Sequence, residues 1–280
     1  MSGRLIQNLK NIAVSGHLGT SLIAGIIPCV PLVMEGVRAD VVALSVLSIF
    51  FGSMAGFIAN DLHDVLRDAI NKPYRPLARG DLGVFFARAT ATVLLAASFS
   101  SIVLLLFVTP WSLLLAVYVV SYLVYNWIND HCILAKNIFI ALGFIAPIGY
   151  SAILLGVLRD NVLFLIAGYL MFVGRELLMD VNDAKGDLLS GYRTLPNRIG
   201  EKKARLLVGF IWSISILLFA LQCSVPSPDV GRLSICLASA TLLLFQYSLW
   251  LKGNLSAASL RVLVISTWIP MCMFVFLLEV

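Results

Sequence analysis

Residues 60–80 read NDLHDVLRDAINKPYRPLARG and residues 179–200 read MDVNDAKGDLLSGYRTLPNRIG, and the two stretches repeat one pattern. Each holds three aspartates at spacings of three and four residues, and the two sets are offset by 119 residues throughout. The first trio is Asp61, Asp64 and Asp68, and the second trio is Asp180, Asp183 and Asp187. Two arginines and a glycine follow each trio: Arg75, Arg79 and Gly80, then Arg193, Arg198 and Gly200. The shared pattern predicts an internal structural repeat.

Long apolar runs surround both stretches. The chain is 60% hydrophobic and 12% charged, whereas a soluble domain carries about 25% charged residues. In lipid only helices and closed barrels satisfy the backbone, and continuous runs of this length indicate helices. We therefore predict an all-α, polytopic membrane bundle that forms a single domain over residues 1–280, with two long polar connections at 61–82 and 180–204. The nine predicted spans are 18–34, 41–60, 83–107, 111–128, 137–158, 161–179, 205–223, 232–251 and 261–278.

The chain has a net charge of +5, and its basic residues are distributed unevenly along the sequence. They concentrate before the first span and after the second, fourth, sixth and eighth, while the alternate loops hold only Arg38, Arg159 and Arg232. The positive-inside rule then predicts that the N-terminus and both polar connections are cytoplasmic. Membrane topology explains the basic surplus, so we expect no nucleic-acid partner. The N-terminus has no cleavage site for a signal peptide and no transit peptide, which favours a bacterial inner membrane.

The two trios predict a magnesium site. Positions i, i+3 and i+7 share one helical face, so each trio directs its carboxylates the same way at the end of a membrane helix. Like charges this close repel unless a cation neutralises them, and oxygen-only ligands favour Mg²⁺, Mn²⁺ or Ca²⁺. Because Mg²⁺ completes its shell with substrate phosphates, the pattern suits a diphosphate held between several ions. The predicted ligands are Asn60, Asp61, Asp64, Asp68, Asp180, Asp183 and Asp187, of which Asp64, Asp68, Asp183 and Asp187 are the predicted catalytic residues.

Basic and aromatic side chains extend this prediction. Five bases just past the acids are expected to bind the outer phosphate oxygens: Lys72, Arg75, Arg79, Arg193 and Arg198. Metal ions and bases would stabilise pyrophosphate as its bond to an allylic carbon breaks. The carbocation would need an apolar cavity without water, where aromatic rings can stabilise it through cation–π contact. The candidate aromatic residues are Tyr118, Tyr122, Tyr125, Trp127 and Phe172.

These motifs resemble those of the UbiA superfamily of intramembrane prenyltransferases, and the resemblance covers essentially the full chain. Asn60-x-x-x-Asp64-x-x-x-Asp68 resembles the first aspartate-rich signature of that family, and RELLMDVNDAKGD at 175–187 resembles the second. The resemblance implies nine transmembrane helices around a central cavity, capped by the two polar connections. It also implies Mg²⁺-dependent transfer of a prenyl group from its diphosphate. By motif, Asn60, Asp64, Asp68 and the second trio would bind the Mg²⁺–diphosphate, and Lys72, Arg75 and Arg79 would lie in the first cap.

The chain departs from the family pattern at two basic positions. Many members carry Tyr-x-x-x-Lys after the fourth helix, where this chain has Asn129 four residues after Tyr125, and Lys136 follows seven residues later. Many members also carry an Arg-Pro pair entering the first helix, which is absent here, although His17 lies near that place. Both departures remove positive charge that would face the diphosphate.

The sequence leaves the acceptor open. An electron-rich aromatic ring, or another hydrophobic acceptor reached from the membrane lipid, is the leading expectation. A terpene cyclase that needs no acceptor is an alternative within the family. The Asp-x-x-Asp-x-x-x-Asp form of the second motif also resembles members that prenylate a glycerol phosphate lipid. A membrane transporter is the alternative of a different class, but transporters tend to hold their charged sites near the bilayer midplane, whereas both trios are predicted at one membrane face.

Overall fold

The computed structural model describes residues 2–131, 135–189, 191 and 194–222, without the side chains of 2–4, 126, 127 and 129–131. This part of the chain is all-helical. Short 3₁₀ turns at Ile27–Cys29, Pro110–Ser112 and Arg159–Asn161 precede three of the helices. The helices are α1 (Ser2–Ser15), α2 (Leu18–Ile26), α3 (Val30–Met34), α4 (Ala39–His63), α5 (Val65–Asn71), α6 (Val84–Leu106), α7 (Leu113–His131), α8 (Ala135–Leu154), α9 (Val162–Leu189), α10 (Leu195–Ile199) and α11 (Glu201–Gln222).

Five helices of the described ranges are long and apolar enough to cross a membrane: α4, α6, α8, α9 and α11. They confirm the predicted spans that begin at 41, 83, 137, 161 and 205. The predicted span 111–128 corresponds to the turn Pro110–Ser112 and α7, of which Pro110–Tyr125 is an apolar helical stretch. The predicted spans 232–251 and 261–278 lie outside the described residues. The chain is an integral membrane protein with five or six apolar helices in its described part.

The first predicted span, 18–34, is the second half of a bent pair of helices. Leu5–Ser15 and Leu18–Met34 meet at an angle of 56° and together are long enough for a sixth crossing. The break falls at His17, whose backbone adopts a left-handed conformation with φ 46° and ψ 53°. A residue with a Cβ rarely adopts this conformation, because its side chain crowds the following carbonyl. The packing around the bend therefore holds His17 in place.

The two trios differ in local structure, although one helical face was predicted for each. α4 ends at His63, and Asp64 stands between α4 and α5 with φ −93° and ψ 10°. Asp68 therefore lies on a separate short helix. The second trio lies within α9, which continues to Leu189, ten residues past the predicted end of that span. Thus only the second trio follows one uninterrupted helix.

Close helix packing brings the elements of the site together. α4 packs against α2, α6 and α7, and α9 packs against α8 and α11. A Cβ atom on Gly56 would lie 2.6 Å from the ring of Tyr122, so glycine permits α4 and α7 to approach. Buried hydroxyls add interhelical hydrogen bonds, such as Ser45 Oγ to Tyr150 Oη at 3.0 Å. Small residues and such hydrogen bonds are the usual means of helix association in lipid, where the hydrophobic effect between helices is absent.

We expect Gly174→Ala to destabilise the protein by about 1–3 kcal/mol, the usual cost of overpacking a well-packed core. The added Cβ would lie 2.3 Å from Nε1 of Trp212. That ring is buried, and its Nε1 donates to the carbonyl of Met171 at 3.2 Å, so it cannot move without losing a hydrogen bond. The measurement is the thermal midpoint in detergent. Gly149→Ala is the matched control, because nothing lies within 4 Å of its Cβ position. Equal midpoints for the two variants would contradict this packing.

Candidate active site

Each carboxylate of the first trio contacts a basic side chain. Arg75 Nη1 donates to Asp61 Oδ1 and to Asp68 Oδ2, both at 2.6 Å. Arg67 pairs with Asp64, whose Oδ1 also lies 3.1 Å from Nδ1 of His63. All three carboxylates are at most 2% exposed. A buried carboxylate is costly unless it is paired, so these bases make the cluster possible.

In the first trio, the pKa values of Asp64 and Asp68 are shifted in opposite directions. Burial raises the pKa of Asp64, but the His63 hydrogen bond and the Arg67 charge outweigh burial and hold that pKa below its ordinary value. Burial also raises the pKa of Asp68, and here the opposing Arg75 charge does not fully offset it. The positive charge beside Asp64 thus keeps this carboxylate ionised and available as a ligand.

The side chains that contact the second trio come from α8, from α5 and from the residue that follows α5. Lys136 Nζ of α8 donates to Asp180 Oδ1 at 2.7 Å, and Asn137 Nδ2 donates to Asp180 Oδ2 at 3.0 Å. Lys72, just after α5, lies 3.4 Å from Asp183 Oδ2. Asn71 Nδ2, at the end of α5, donates to Asp187 Oδ1 at 3.2 Å.

These contacts join the two trios into one site. Lys72 and Asn71 belong to the first cap but contact the second trio. Arg67 pairs with Asp64, and its Nε also lies 4.0 Å from Asp187 Oδ1. The glycine at 186 leaves room for the Asn71 side chain, because a Cβ there would lie 1.4 Å from Oδ1 of Asn71. The two copies of the repeated pattern therefore face each other directly.

Two adjoining pockets lie beside the trios. The larger one, here called the apolar cavity, measures about 510 Å³ and is lined by α2, α4, α7, α8 and α9. The smaller one, here called the polar pocket, measures about 160 Å³ and contains all three carboxylates of the second trio with Arg67, Lys72 and Lys136. Five residues line both pockets: Asn60, Tyr125, Arg175, Glu176 and Met179. The polar pocket and the apolar cavity thus share part of their lining.

The predicted site residues divide into three groups. Those that line a pocket or pair with a residue that does are Asn60, Asp61, Asp64, Asp68, Lys72, Arg75, Asp180, Asp183 and Asp187. Those that lie elsewhere are Arg79, which is exposed and pairs with Asp81 at 2.9 Å, and Arg198, which is exposed on α10. Arg193 falls outside the described residues.

The predicted aromatic residues divide in the same way. Tyr122 and Tyr125 line the apolar cavity. Tyr118 packs edge-on against Tyr122 and contacts Ser53, away from the cavity lining. Phe172 stacks on Phe144, their centroids 4.7 Å apart, and only Phe144 lines the cavity. The Trp127 side chain is outside the description. Tyr118 lies one turn before Tyr122 on the same side of α7, so its position along the helix, not its face, separates it from the cavity lining.

Residue patterns did not identify three basic residues of the site: Arg67, Lys136 and Arg175. Arg67 lies within the first motif, three residues after Asp64, a spacing that places both on one helical side. Lys136, seven residues after the place of the absent Tyr-x-x-x-Lys lysine, is a cation at the second trio, since it is buried and paired with Asp180. Its 44-residue separation from Asp180 leaves no local signal in the sequence.

The donor set fits a hard divalent cation. Among the described residues no three acidic, histidine or cysteine side chains form a ready cluster of metal ligands, because each aspartate of the trios contacts a base or an amide. Mg²⁺ does not need such a cluster, since it takes one or two carboxylates and fills its shell with water and phosphate oxygens. Asn60 Oδ1 is buried without a hydrogen-bond partner among these residues. This orphaned acceptor beside the trios is suited to a cation.

The family model described as the UbiA prenyltransferase family matches residues 29–278. The chain belongs to this family. It is therefore a prenyltransferase, and the resemblance inferred from the two motifs is confirmed. The same motifs supply the trios that the fold brings together.

Curated relatives within the family carry a narrower name. Digeranylgeranylglyceryl phosphate synthase of Thermococcus kodakarensis is 31% identical over 209 residues, which are 74% of this chain and 71% of the relative. The synthase of the same name from Pyrococcus abyssi is 26% identical over 246 residues, 86% of each chain.

Solved structures share the fold. A UbiA homologue from Aeropyrum pernix K1, in an apo structure, gives a TM-score of 0.77 at 17% identity and covers 94% of this chain and 99% of its own. A UbiA homologue from Archaeoglobus fulgidus, described as bound to GPP and Mg²⁺, gives a TM-score of 0.75 at 17% identity and covers 96% of this chain and 99% of its own.

We expect Lys136→Met to raise KM for a prenyl diphosphate about tenfold, because a charge-assisted hydrogen bond is worth roughly 1.5 kcal/mol or more. Methionine keeps the apolar length of the side chain and removes only the charge. Steady-state kinetics in detergent micelles measure the effect. Lys185→Met is the control, since Lys185 lies on α9 but is exposed and lines neither pocket. An unchanged KM in the Lys136 variant would exclude Lys136 from donor binding.

Proposed function

We propose that this enzyme uses Mg²⁺ to transfer a prenyl group from a prenyl diphosphate to a hydroxyl group of a prenylated glycerol phosphate. The observation that supports this proposal is that the polar pocket, lined by the second trio together with Arg67 and Lys72 of the first cap, adjoins an apolar cavity that Asp61 of the first trio lines. A prenyl diphosphate has the same two parts, a highly charged head and a hydrocarbon tail. The A. fulgidus homologue described as bound to GPP and Mg²⁺ supports the assignment of donor and metal.

The diphosphate would occupy the polar pocket, with Mg²⁺ held by Asn60 and the trio carboxylates. When bound, Mg²⁺ neutralises charge on the leaving diphosphate. The bases that now neutralise the carboxylates have the reach to serve the phosphate oxygens instead: Arg67, Lys72, Arg75 and Lys136. Arginine suits this role because its planar fork binds two phosphate oxygens at once.

The prenyl chain would extend into the apolar cavity, which shares Asn60 and Tyr125 with the polar pocket. As the bond from C1 to the diphosphate oxygen breaks, its electron pair leaves with the diphosphate. The acceptor hydroxyl oxygen then bonds to C1, and its proton passes to a base, which completes an ether. The faces of Phe57, Tyr122 and Tyr125 can stabilise the positive charge on the prenyl carbon, and the apolar lining excludes water that would capture it.

The acceptor assignment rests on the curated relatives. Their name describes a product with two geranylgeranyl groups on one glyceryl phosphate, so the last addition must use a glyceryl phosphate that carries one group. This favours the glycerol phosphate alternative that the second motif suggested. The expectations of an aromatic acceptor and of a cyclase stay predictions without support from these relatives.

We further propose that the whole chain is one domain of nine membrane helices around a central cavity, of which the apolar cavity is a part. The positive-inside pattern supports a cytoplasmic N-terminus and cytoplasmic caps. The Thermococcus and Pyrococcus relatives are archaeal, so the expected bacterial inner membrane is unsupported, while the proposed orientation does not depend on the source.

The test of this function is product formation in vesicles. Purified protein with Mg²⁺, geranylgeranyl diphosphate and geranylgeranylglyceryl phosphate should release pyrophosphate and form an ether lipid, identified by mass spectrometry. EDTA should abolish the release and added Mg²⁺ should restore it. Release with a hydrocarbon or terpenol product and no acceptor would instead establish a cyclase, and release that requires an aromatic partner would establish an aromatic acceptor. No release with any donor would exclude prenyl transfer.

Substitutions in the trios test the site. Asp64→Asn and Asp183→Asn should each lower kcat at least a hundredfold, the usual order for loss of one group that stabilises transition-state charge. Both variants should still insert and fold, because asparagine keeps the shape of the side chain. Asp40→Asn is the control, since Asp40 is an exposed carboxylate paired with Arg38 at the other end of α4. Wild-type rates in either trio variant would show that the trios are not the catalytic site.

A further inference from the structure

Arg175 occupies the boundary between the two pockets. It is 8% exposed and lines both the apolar cavity and the polar pocket. Five residues separate it from Asp180 on α9, which corresponds to about 7.5 Å along the helix axis. Arg175 therefore lies deeper in the membrane than the carboxylates of the second trio.

The contacts of Arg175 leave part of its guanidinium unused. Its Nε and Nη2 both donate to Glu176 Oε1, at 3.0 Å and 2.5 Å. Its guanidinium carbon lies 4.8 Å from the ring centroid of Phe144 and 5.3 Å from that of Phe172. The remaining nitrogen, Nη1, is buried without a hydrogen-bond partner within the described ranges.

A buried guanidinium donor without an acceptor is costly, so an exception in a pocket wall points to a ligand. The guanidinium also lies against the rings of Phe144 and Phe172. Glu176 neutralises its charge through one oxygen only. The free Nη1 edge is thus presented to an anionic oxygen in a largely apolar surrounding, where such a hydrogen bond is strong.

The donor diphosphate does not need this arginine. Arg67, Lys72, Arg75 and Lys136 already pair with the trio carboxylates beside the proposed diphosphate position. Among the described residues, Arg175 pairs with neither trio, and its acidic partner there is its chain neighbour Glu176. Its place at the junction suits the second substrate, whose hydroxyl must meet the donor carbon where the two pockets join.

We propose that Arg175 binds the phosphate of the acceptor lipid through its Nη1 edge. This inference rests on the proposed function, because it requires a phosphate-bearing acceptor. The phosphate lies against Arg175 and the acceptor chain shares the apolar cavity with the prenyl chain of the donor. The short glycerol backbone then holds the acceptor hydroxyl between Arg175 and the diphosphate. Arg175 is a specificity-determining residue that selects acceptors with a phosphate over those without one.

A substrate-by-variant cycle tests this role. Wild-type and Arg175→Gln enzymes are each assayed with geranylgeranylglyceryl phosphate and with the same prenyl glycerol lacking phosphate. In the wild type, loss of the phosphate should lower kcat/KM for the acceptor tenfold or more. In Arg175→Gln the two acceptors should differ less than threefold, while KM for the donor stays within twofold of wild type. Arg205→Gln, which removes an arginine from a Glu201 pair on α11 far from the pockets, should behave as wild type.

Arg175→Lys keeps the charge and the alkyl stem, and it provides a second variant if glutamine disturbs the packing. It should retain a preference for the phosphate that lies between those of the wild type and Arg175→Gln. The inference is overturned if Arg175→Gln, or Arg175→Lys where glutamine does not fold, keeps the full wild-type preference, or if donor KM rises as much as acceptor KM. A wild-type enzyme that ignores the glycerol phosphate but prenylates an aromatic ring would overturn the proposed function itself. A wild-type enzyme that accepts both glycerol substrates equally would overturn only the role of Arg175.

Discussion

The arrangement of this protein depends on charge compensation at one face of a membrane bundle. The six aspartates of the two trios lie close together. The three of the first trio are at most 2% exposed. A carboxylate buried in this way is not stable without a partner. Arg67 and Arg75 neutralise the first trio, and Lys72 and Lys136 neutralise two acids of the second. We propose that the same bases bind the diphosphate. The ion pairs would then keep the site folded without substrate and supply the cations that bind the substrate.

The contact between α5 and α9 makes the two trios one site. Asn71 reaches Asp187 and Lys72 reaches Asp183, and glycine at 186 leaves room for the Asn71 side chain. The break of α4 at Asp64 places α5 in position for these contacts, whereas α9 has no break and extends the second trio beyond the span. The first copy of the pattern is thus divided between two helices, whereas the second copy lies on one continuous helix that lines the polar pocket.

The sequence predicted the parts that depend on local pattern. Apolar runs of full span length identified α4, α6, α8, α9 and α11, and the repeated spacing identified the trios. It did not predict the break at Asp64 or the bend at His17, which depend on packing between distant helices. Nor did it identify Lys136 or Arg175 as site residues, because their partners or pockets are set by tertiary contacts. The sequence also could not separate Tyr118 from Tyr122, because spacing alone does not give the position of α7 along the cavity.

The family membership and the geometry of the site both indicate an enzyme that separates a charged leaving group from a reactive hydrocarbon. The central claim is that both trios bind one diphosphate through shared divalent cations. The most direct measurement is the anomalous diffraction of Mn²⁺ in crystals grown with a non-reactive prenyl diphosphate analogue. If both trios share the cations, Mn²⁺ peaks will lie between Asp64 and Asp183, with oxygens of both trios and of the diphosphate as ligands. Mn²⁺ bound by one trio alone, or a diphosphate away from the polar pocket, would contradict this claim.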